Sequence, residues 1–259
     1  MPTSTVRNKT LAVVIAITFA ATVLSLALPT IALNTSFADM VVRITDTASW
    51  TQLPVFGAVA VVLVVSRPSL SRHRRATEAL AITVTLLVIL VGNGLLNEHT
   101  VKPWLGAARP NIVEQADSGA LGAEFPDADS LYAAGNKEER RVILGEKLTA
   151  AQTPYLSTAV RAHWIHETGY SFPSGHSTAA MTFAATLAAI GSTWLGGWRR
   201  FTMTVIVPIW AIAVVYSRVL LEVHRPIDVI AGTTIGFAWG LLAFSIIRTL
   251  SDRWATPPQ

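Results

Sequence analysis

The sequence contains no cysteine and few charged residues. Of its 259 residues, 14% are Asp, Glu, Lys or Arg, whereas a soluble domain carries about 25%. The lack of cysteine excludes a disulfide framework, a thiolate nucleophile and a sulfur-ligated metal. Hydrophobic residues make up 51% of the chain, and this composition with so little charge is typical of a protein embedded in a membrane.

Long apolar runs indicate how the chain is organised. A membrane-spanning helix needs roughly 17 to 25 mostly apolar residues, and such runs lie at residues 11–33, 50–66, 76–96, 177–195, 201–216 and 227–250. We therefore expect an all-α integral membrane protein with six transmembrane helices. It should form a single membrane domain over residues 1–259, with a large loop at about residues 97–176.

The positions of Lys and Arg predict the orientation of these helices. A net charge of +4 would also fit nucleic-acid binding, but the basic residues gather in every second short connection, as cytoplasmic loops do. They are Arg7, Lys9, Arg67, Arg72, Arg74, Arg75, Arg199, Arg200, Arg248 and Arg253. Both termini are therefore predicted to be cytoplasmic, and the loop at 97–176 to be extracytoplasmic.

The first apolar run has an alternative interpretation as a cleaved signal peptide, since it follows basic residues and ends in small ones. Its apolar core is longer than the usual 7–15 residues of such a peptide. We expect the first span to be retained.

The large loop is too polar to enter a bilayer, because it carries seven Lys or Arg and ten Asp or Glu. Two short amphipathic helices are expected in it. Asn136 stands three residues before Glu139, which is the spacing of a helix-capping box. Pro154 occupies a position that suits the first turn of a second helix.

Three polar clusters lie beside span ends on the predicted outer side. They are "KPWLGAARP" with Lys102 and Arg109, "PSGH" with Ser174, Gly175 and His176, and "SRVLLEVHRPID" with Ser217, Arg218, His224 and Asp228. Lys supplies a point charge, and the Arg guanidinium supplies paired donors that match phosphate oxygens. The first turn of a helix beginning at "PSGH" would add unpaired N–H groups, so the clusters together favour a multivalent oxyanion.

The two histidines have different predicted roles. Asp228, in the first turn of the last span, can accept the Nδ1–H of His224 and leave its Nε2 free as a nucleophile. His176, at the start of another helix, is then placed to protonate a leaving oxygen and later to activate water.

Each cluster taken alone has a structural alternative. Lys102 and Arg109 can be interfacial cations that extend to the headgroups, Ser174 can be only a helix cap, and His224 with Asp228 can be a structural pair. Their occurrence on one predicted side of the membrane favours a functional site, because ionisable groups at span edges are costly. His163 and His166 could hold a metal, but no third or fourth ligand stands at a suitable spacing.

The combination resembles the type 2 phosphatidic acid phosphatase superfamily, whose signature is K-x6-R-P, then P-S-G-H, then S-R-x5-H-x3-D. All three parts match here, at Lys102 to Pro110, Pro173 to His176, and Ser217 to Asp228. The predicted spans and "HWIHETGYSFPSGH" are similar to the bacterial phosphatidylglycerophosphatases of that superfamily. The resemblance implies that His224 forms a phosphohistidine, Asp228 orients it and His176 is the acid and base. It also implies phosphoryl binding by Lys102, Arg109, Ser174, Gly175 and Arg218, and neither a metal nor another cofactor.

The expected function is hydrolysis of lipid phosphates or pyrophosphates, such as phosphatidylglycerophosphate, phosphatidic acid, diacylglycerol pyrophosphate or undecaprenyl pyrophosphate. The expected partners are that substrate and membrane lipids, without nucleic acid, and the expected place is a bacterial inner membrane. Two alternatives remain open: a phosphatase of a soluble phosphate ester, and a catalytically silent lipid-binding or transport protein. A haloperoxidase, which the same superfamily includes, is disfavoured because nothing in the chain suggests a soluble protein. Neither the preferred lipid nor the oligomeric state can be read from apolar spans.

Overall fold

The computed structural model describes residues 4–68 and 70–254. The two chain ends that were predicted to be cytoplasmic lie partly outside the described residues, at positions 1–3 and 255–259. The described residues are helical, without strands. The helices are α1 (Ser4–Val23), α2 (Ser36–Asp46), α3 (Leu53–Val65), α4 (Arg72–Leu96), α5 (Lys102–Leu105), α6 (Pro110–Asp117), α7 (Ala128–Ala133), α8 (Lys137–Lys147), α9 (Thr158–His166), α10 (Gly175–Trp194), α11 (Gly197–Phe201), α12 (Val207–Leu220) and α13 (Pro226–Trp254).

Short irregular segments extend several of these helices. A 3₁₀ turn, Leu24–Ala27, follows α1. The π-helical segments Asn97–Val101 and Thr202–Ile206 join α4 to α5 and α11 to α12. As a result α4 and α5 form one continuous rod that carries Lys102 at its far end.

Four helical segments are long and apolar enough to cross a membrane: Lys9–Ala27, Arg72–Leu105, Gly197–Leu220 and Pro226–Arg253. The other two predicted spans correspond to α3, an apolar helix of 13 residues, and to α10, whose residues are smaller and more polar than those of α3. The six-span topology therefore stays a prediction.

Several predicted boundaries were wrong for local reasons. The first span was drawn to residue 33, but the helix stops at Ala27, because Leu28 precedes Pro29 and takes an extended conformation. The second was drawn from residue 50, whereas α3 starts at Leu53 with Pro54 in its first turn. The third continues to Leu105, because the π-helical segment Asn97–Val101 keeps the chain helical after α4. The fifth begins earlier, at Gly197, because the segment Thr202–Ile206 joins α11 to α12, and α12 itself continues to Leu220.

The packing of α10 against α13 forms the centre of the bundle. Gly232, Gly236 and Gly240 recur every fourth residue on α13, so they form one stripe along the helix. A Cβ atom at any of them would lie 2.5–2.7 Å from an atom of α10 or of its N-cap residue Ser174, which is closer than packed atoms approach. These glycines therefore let the two backbones come together, as small residues do between membrane helices.

The loop between α5 and α10 contains more structure than the two helices predicted from sequence. It forms α6, α7, α8 and α9, and a helix that was not predicted, α2, lies before α3. The capping box of Asn136 and Glu139 is confirmed at the start of α8. The start predicted at Pro154 is wrong, because α9 begins at Thr158, where the Ser157 side chain accepts the N–H of Val160.

The loop helices are held above the ends of the long helices. Trp164 of α9 is fully buried, and its Nε1 donates to the carbonyl of Leu221 at 2.8 Å. Leu221 lies in the connection from α12 to α13 that also carries His224. This contact brings α9 and the residues that follow it next to the third polar cluster.

Candidate active site

A cavity of about 240 Å³ lies where the ends of α4, α5, α9 and α10 meet. Five of the eight predicted site residues line it: Lys102, Arg109, Gly175, His176 and His224. Arg218 and Asp228 are buried and contact the lining residues Glu167 and His224, and buried Ser174 directly precedes the lining residue Gly175. One wall is apolar and includes Leu53, Leu90 and Ala179. The fold thus brings all three polar clusters to one place.

Local structure explains the position of each cluster. The Ser174 side chain caps α10 by accepting the N–H of Ser177 at 3.4 Å, so Gly175 and His176 stand in the first helical turn as predicted. Pro226 begins α13, which places Asp228 in its first turn. The peptide N–H of Ser174 donates to the Asp228 carbonyl at 3.0 Å and joins these two helix starts.

His224 lies between a carboxylate and a guanidinium. Its Nδ1 is 3.4 Å from Oδ2 of Asp228, and this contact does not reach hydrogen-bond geometry. On the other side, Nη1 of Arg109 lies 3.1 Å from Nε2. Because arginine can only donate, Nε2 acts as the acceptor and the imidazole proton belongs on Nδ1, facing Asp228. Burial, and then the charge of Arg109, lowers the pKa of His224 well below its usual value, so the ring is neutral near pH 7.

Arg109 is fixed through its whole guanidinium. Its Nε donates to the Gly169 carbonyl at 2.8 Å, and Nη1 also donates to the Val223 carbonyl at 3.0 Å. Its Nη2 lies 2.6 Å from Oε2 of Glu167. The side chain is 2% exposed and still reaches the cavity.

Glu167 is the functional-site candidate that sequence reasoning missed. Its carboxylate pairs with Nη2 of Arg109 and, at 2.7 Å, with Nη2 of Arg218. Nδ1 of His176 and Nε2 of His163 each lie 4.0 Å from Oε1. Burial alone would raise the pKa of Glu167, but the two guanidinium groups hold it well below its usual value. The only sequence signal was its place in "HWIHETGYSFPSGH", nine residues before His176.

Arg218 is a predicted site residue that does not line the cavity. It is fully buried, and Nη1 contacts Oγ1 of Thr45 at 2.8 Å and Nε2 of His163 at 3.0 Å. Glu167 lies between Arg218 and the cavity. The predicted role of Arg218 in phosphoryl binding stays a prediction. In the structure, Arg218 is linked to the cavity through its ion pair with the Glu167 carboxylate.

A second carboxylate bridges two lysines at the mouth of the cavity. Glu98, in the π-helical segment, pairs through one oxygen with Nζ of Lys102 and through the other with Nζ of Lys137, the latter at 3.0 Å. Gly175 faces the same group, since a Cβ there would lie 3.8 Å from Nζ of Lys102. The start of α10 therefore lies directly beside Lys102.

The histidine pair considered for a metal faces arginines. Nε2 of His163 lies 3.0 Å from Arg218, and Nε2 of His166 lies 3.4 Å from Arg141. Burial, and then Arg218, lowers the pKa of His163 to about 3. Across residues 4–68 and 70–254, no group of three or more His, Asp or Glu side chains is arranged to hold a metal ion.

Comparison with known proteins adds independent evidence. The family profile described as the PAP2 superfamily matches residues 78–252. Phosphatidylglycerophosphatase B of Escherichia coli strain K12 is 31% identical over 173 residues, which cover 66% of this chain and 61% of that protein. The protein of the same name from Haemophilus influenzae is 36% identical over 89 residues, or 33% of this chain and 36% of that protein. An undecaprenyl-diphosphatase of Sulfolobus acidocaldarius is 39% identical over 82 residues, or 32% of this chain and 36% of that protein.

Proposed function

Because the chain belongs to the PAP2 superfamily, we propose that it is an integral membrane phosphatase that hydrolyses lipid phosphates or pyrophosphates. The observation that carries the proposal is one cavity in which Lys102, Arg109, His176 and His224 face each other beside an apolar wall. The cationic part suits a phosphoryl group, and the apolar wall suits the lipid that bears it.

The named relatives support the substrate class. Two of them are called phosphatidylglycerophosphatase B and a third undecaprenyl-diphosphatase, so the names cover a lipid phosphate monoester and a lipid diphosphate. The match spans about three fifths of the E. coli protein, and we therefore propose the class and not one lipid.

The proposed first step is attack of His224 on phosphorus. The neutral Nε2 of His224 forms the N–P bond while the P–O bond to the lipid breaks. His176, which has to be protonated in the substrate complex, gives its proton to the leaving oxygen. Asp228 keeps the imidazole proton on Nδ1 and stabilises the charge that develops on the ring. In the second step His176 takes a proton from water, whose oxygen attacks phosphorus, and phosphate leaves with His224 restored.

Arg109 must move slightly for this chemistry to start. Its Nη1 occupies the Nε2 lone pair that would attack phosphorus. A phosphoryl oxygen is the stronger acceptor, because it is charged, and it draws the guanidinium away from the imidazole. We propose that Lys102, Arg109 and the start of α10 at Ser174 and Gly175 then hold the phosphoryl oxygens, with Arg218 acting on the same group of charges.

The position of the site relative to the membrane is part of the proposal. Lys102 ends a long apolar segment, and His224 lies between two others. The alternation of basic connections supports a position of this end of the bundle outside the cytoplasm. We propose that the enzyme acts on lipids of the outer leaflet of the cytoplasmic membrane.

The test is a phosphate-release assay with purified protein in detergent micelles. The substrates are phosphatidylglycerophosphate, phosphatidic acid, diacylglycerol pyrophosphate and undecaprenyl pyrophosphate, each with and without EDTA. We expect release from at least one lipid, equal in both conditions, and loss of release in the His224→Ala variant. An absence of release from all four lipids would contradict the proposal, and a rate insensitive to dilution of substrate in micelles would favour a soluble ester instead.

A further inference from the structure

Two cations at the mouth of the cavity have no part in the proposed chemistry. Lys137 and Arg141, here called the outer pair, stand four residues apart on α8 and so share one face of that helix. Both line the cavity of about 240 Å³ and also an adjoining cavity of about 670 Å³. Lys102 and Glu98 line the same two cavities. The outer pair therefore lies where the phosphoryl site opens outward.

Hydrogen bonds hold the outer pair in place relative to the inner site. Nε of Arg140 donates to the Thr168 carbonyl at 3.0 Å, and the Thr168 hydroxyl donates to the Lys137 carbonyl at 2.8 Å. Nε of Arg141 donates to the His166 carbonyl at 3.0 Å. These bonds flank Glu167, so α8 is fastened to the segment that pairs with Arg109. A subsite on α8 would keep a fixed distance from the phosphoryl site.

The charges around the outer pair leave room for an anion. Glu98 is shared between Lys102 and Lys137, so one carboxylate serves two ammonium groups. Nη1 of Arg141 has a contact of 3.4 Å to Glu138, whose side chain is 73% exposed. Such an exposed pair contributes little. The mouth therefore carries more positive than negative charge near Lys102.

We propose that Lys137 and Arg141 bind the phosphate that stays on the lipid when the terminal phosphate is removed. The inference rests on the proposed function, because it needs the terminal phosphate at Lys102 and His224. A retained phosphate exists in two kinds of substrate. It is the inner phosphate of a lipid pyrophosphate or the phosphodiester of phosphatidylglycerophosphate. Phosphatidic acid leaves none, so the outer pair selects substrates that carry two phosphates.

The experiment compares catalytic efficiencies in micelles for three lipids with the same acyl chains: phosphatidic acid, phosphatidylglycerophosphate and diacylglycerol pyrophosphate. The variant is Lys137→Gln with Arg141→Gln. Hydrogen bonds between charged groups contribute enough for a loss of about tenfold to a hundredfold. We expect kcat/KM for one or both two-phosphate lipids to fall by that factor relative to phosphatidic acid, mainly through KM.

Two further variants serve as controls. Lys147→Gln changes a lysine on the same helix that pairs with Glu124 and lines neither cavity, and it should leave all three rates unchanged. Arg141→Lys keeps the charge and should retain most of the preference. The two-phosphate lipids also separate the sources of the anion, since a loss confined to the pyrophosphate assigns the pair to an adjacent phosphate.

The outcomes distinguish the inference from the function beneath it. If the wild-type protein releases phosphate from none of the lipids, the proposed function fails. If it hydrolyses phosphatidic acid but neither two-phosphate lipid, only the inference fails. An equal fall for all three lipids in the double variant would also overturn it, because the outer pair would then act on the membrane surface or on folding and not on selection.

Discussion

Replacing Glu167 by Gln removes one negative charge from a buried group of three ions. Arg109, Arg218 and Glu167 are 2%, 0% and 7% exposed, and the carboxylate pairs with both guanidinium groups. Gln keeps the size of the side chain, but its amide has one acceptor oxygen and presents N–H donors to the other arginine. The substitution therefore leaves one buried guanidinium without its acceptor.

The expected loss of stability is large. Breaking a buried ion pair by removing one partner costs about 3–5 kcal/mol. For a domain of roughly 150–250 residues, each kcal/mol lowers the melting temperature by about 2–4 °C. We expect the Glu167→Gln variant to melt about 6–20 °C below the wild-type protein. The control Glu124→Gln, which changes an exposed surface pair with Lys147, should shift the midpoint by no more than a few degrees.

Anion and pH dependence give this prediction two further readouts. Orthovanadate or phosphate can enter between the freed arginines, and a ligand at a hundred times its Kd stabilises by about 2.7 kcal/mol. The anion should therefore raise the melting temperature of the variant more than that of the wild-type protein. Because the folded-state pKa of Glu167 lies below its ordinary value of 4.5, its stabilisation is present above that pH and is lost as the pH falls through the folded pKa. The difference in melting temperature between the variant and the wild-type protein should become smaller at acidic pH.

The measurement is thermal unfolding in detergent, followed by intrinsic Trp fluorescence across pH 3.5–8 with and without anion. A Glu167→Gln midpoint within 2 °C of the wild type, roughly half a kcal/mol to one, would refute the reasoning. It would mean that this carboxylate does not hold the two arginines in the folded protein.

Three other results are expected. His224→Ala should form no acid-labile, alkali-stable phosphoenzyme in quench trapping. His176→Ala should still form it and turn over about 10²–10⁴ times more slowly. Phosphoenzyme that persists only in His224→Ala would reverse the assignment of nucleophile and acid. Gly236→Val should lower thermal stability by about 1–3 kcal/mol, because a Cβ there lies 2.7 Å from α10. Gly92→Ala, with no atom within 4 Å, is the control and should not be destabilised, since Ala is the better helix former. Equal midpoints of the two variants would contradict the close packing. The folded-state pKa of His163, about 3, lies below its ordinary value of 6.5, so unfolding takes up a proton. The stability should therefore fall as the pH drops below 6.5, by about 1.4 kcal/mol at pH 5.5. His163→Gln should show a shallower slope of melting temperature against pH, and an unchanged slope would count against this reasoning.

The sequence predicted the parts of the site that depend on local rules. Ser174 caps α10 and Pro226 begins α13, and both follow from short-range preferences for helix starts. These two starts place His176 and Asp228 in first turns, as expected. The error at Pro154 has a local cause too, because Ser157 offered a competing cap only three residues later.

The rest depends on contacts between distant segments and could not be predicted in the same way. Glu167 is separated by 58 positions from Arg109 and by 51 from Arg218. It belongs to no sequence motif that pairs it with either arginine. The outer pair lies on a helix that was predicted correctly, but its position at the cavity depends on contacts with residues 166–168. The glycines of α13 recur every fourth residue, and only the structure identifies α10 as their partner.

The buried carboxylate of Glu167 and the half-buried carboxylate of Glu98 would also help a lipid phosphatase to discriminate against ordinary membrane lipids. Glu167 and Glu98 already neutralise part of the charge on Arg109, Arg218 and Lys102. The phosphodiester of a bulk phospholipid carries a single negative charge, so it would replace one monoanion by another and gain little Coulomb energy. A terminal phosphate carries about −1.5 to −2 charges at pH 7 and offers three acceptor oxygens, as a phosphorylated side chain does. Such a group can displace one carboxylate with a net gain in charge, so on the proposed function the resident acids would favour terminal phosphates over the diesters of bulk phospholipids.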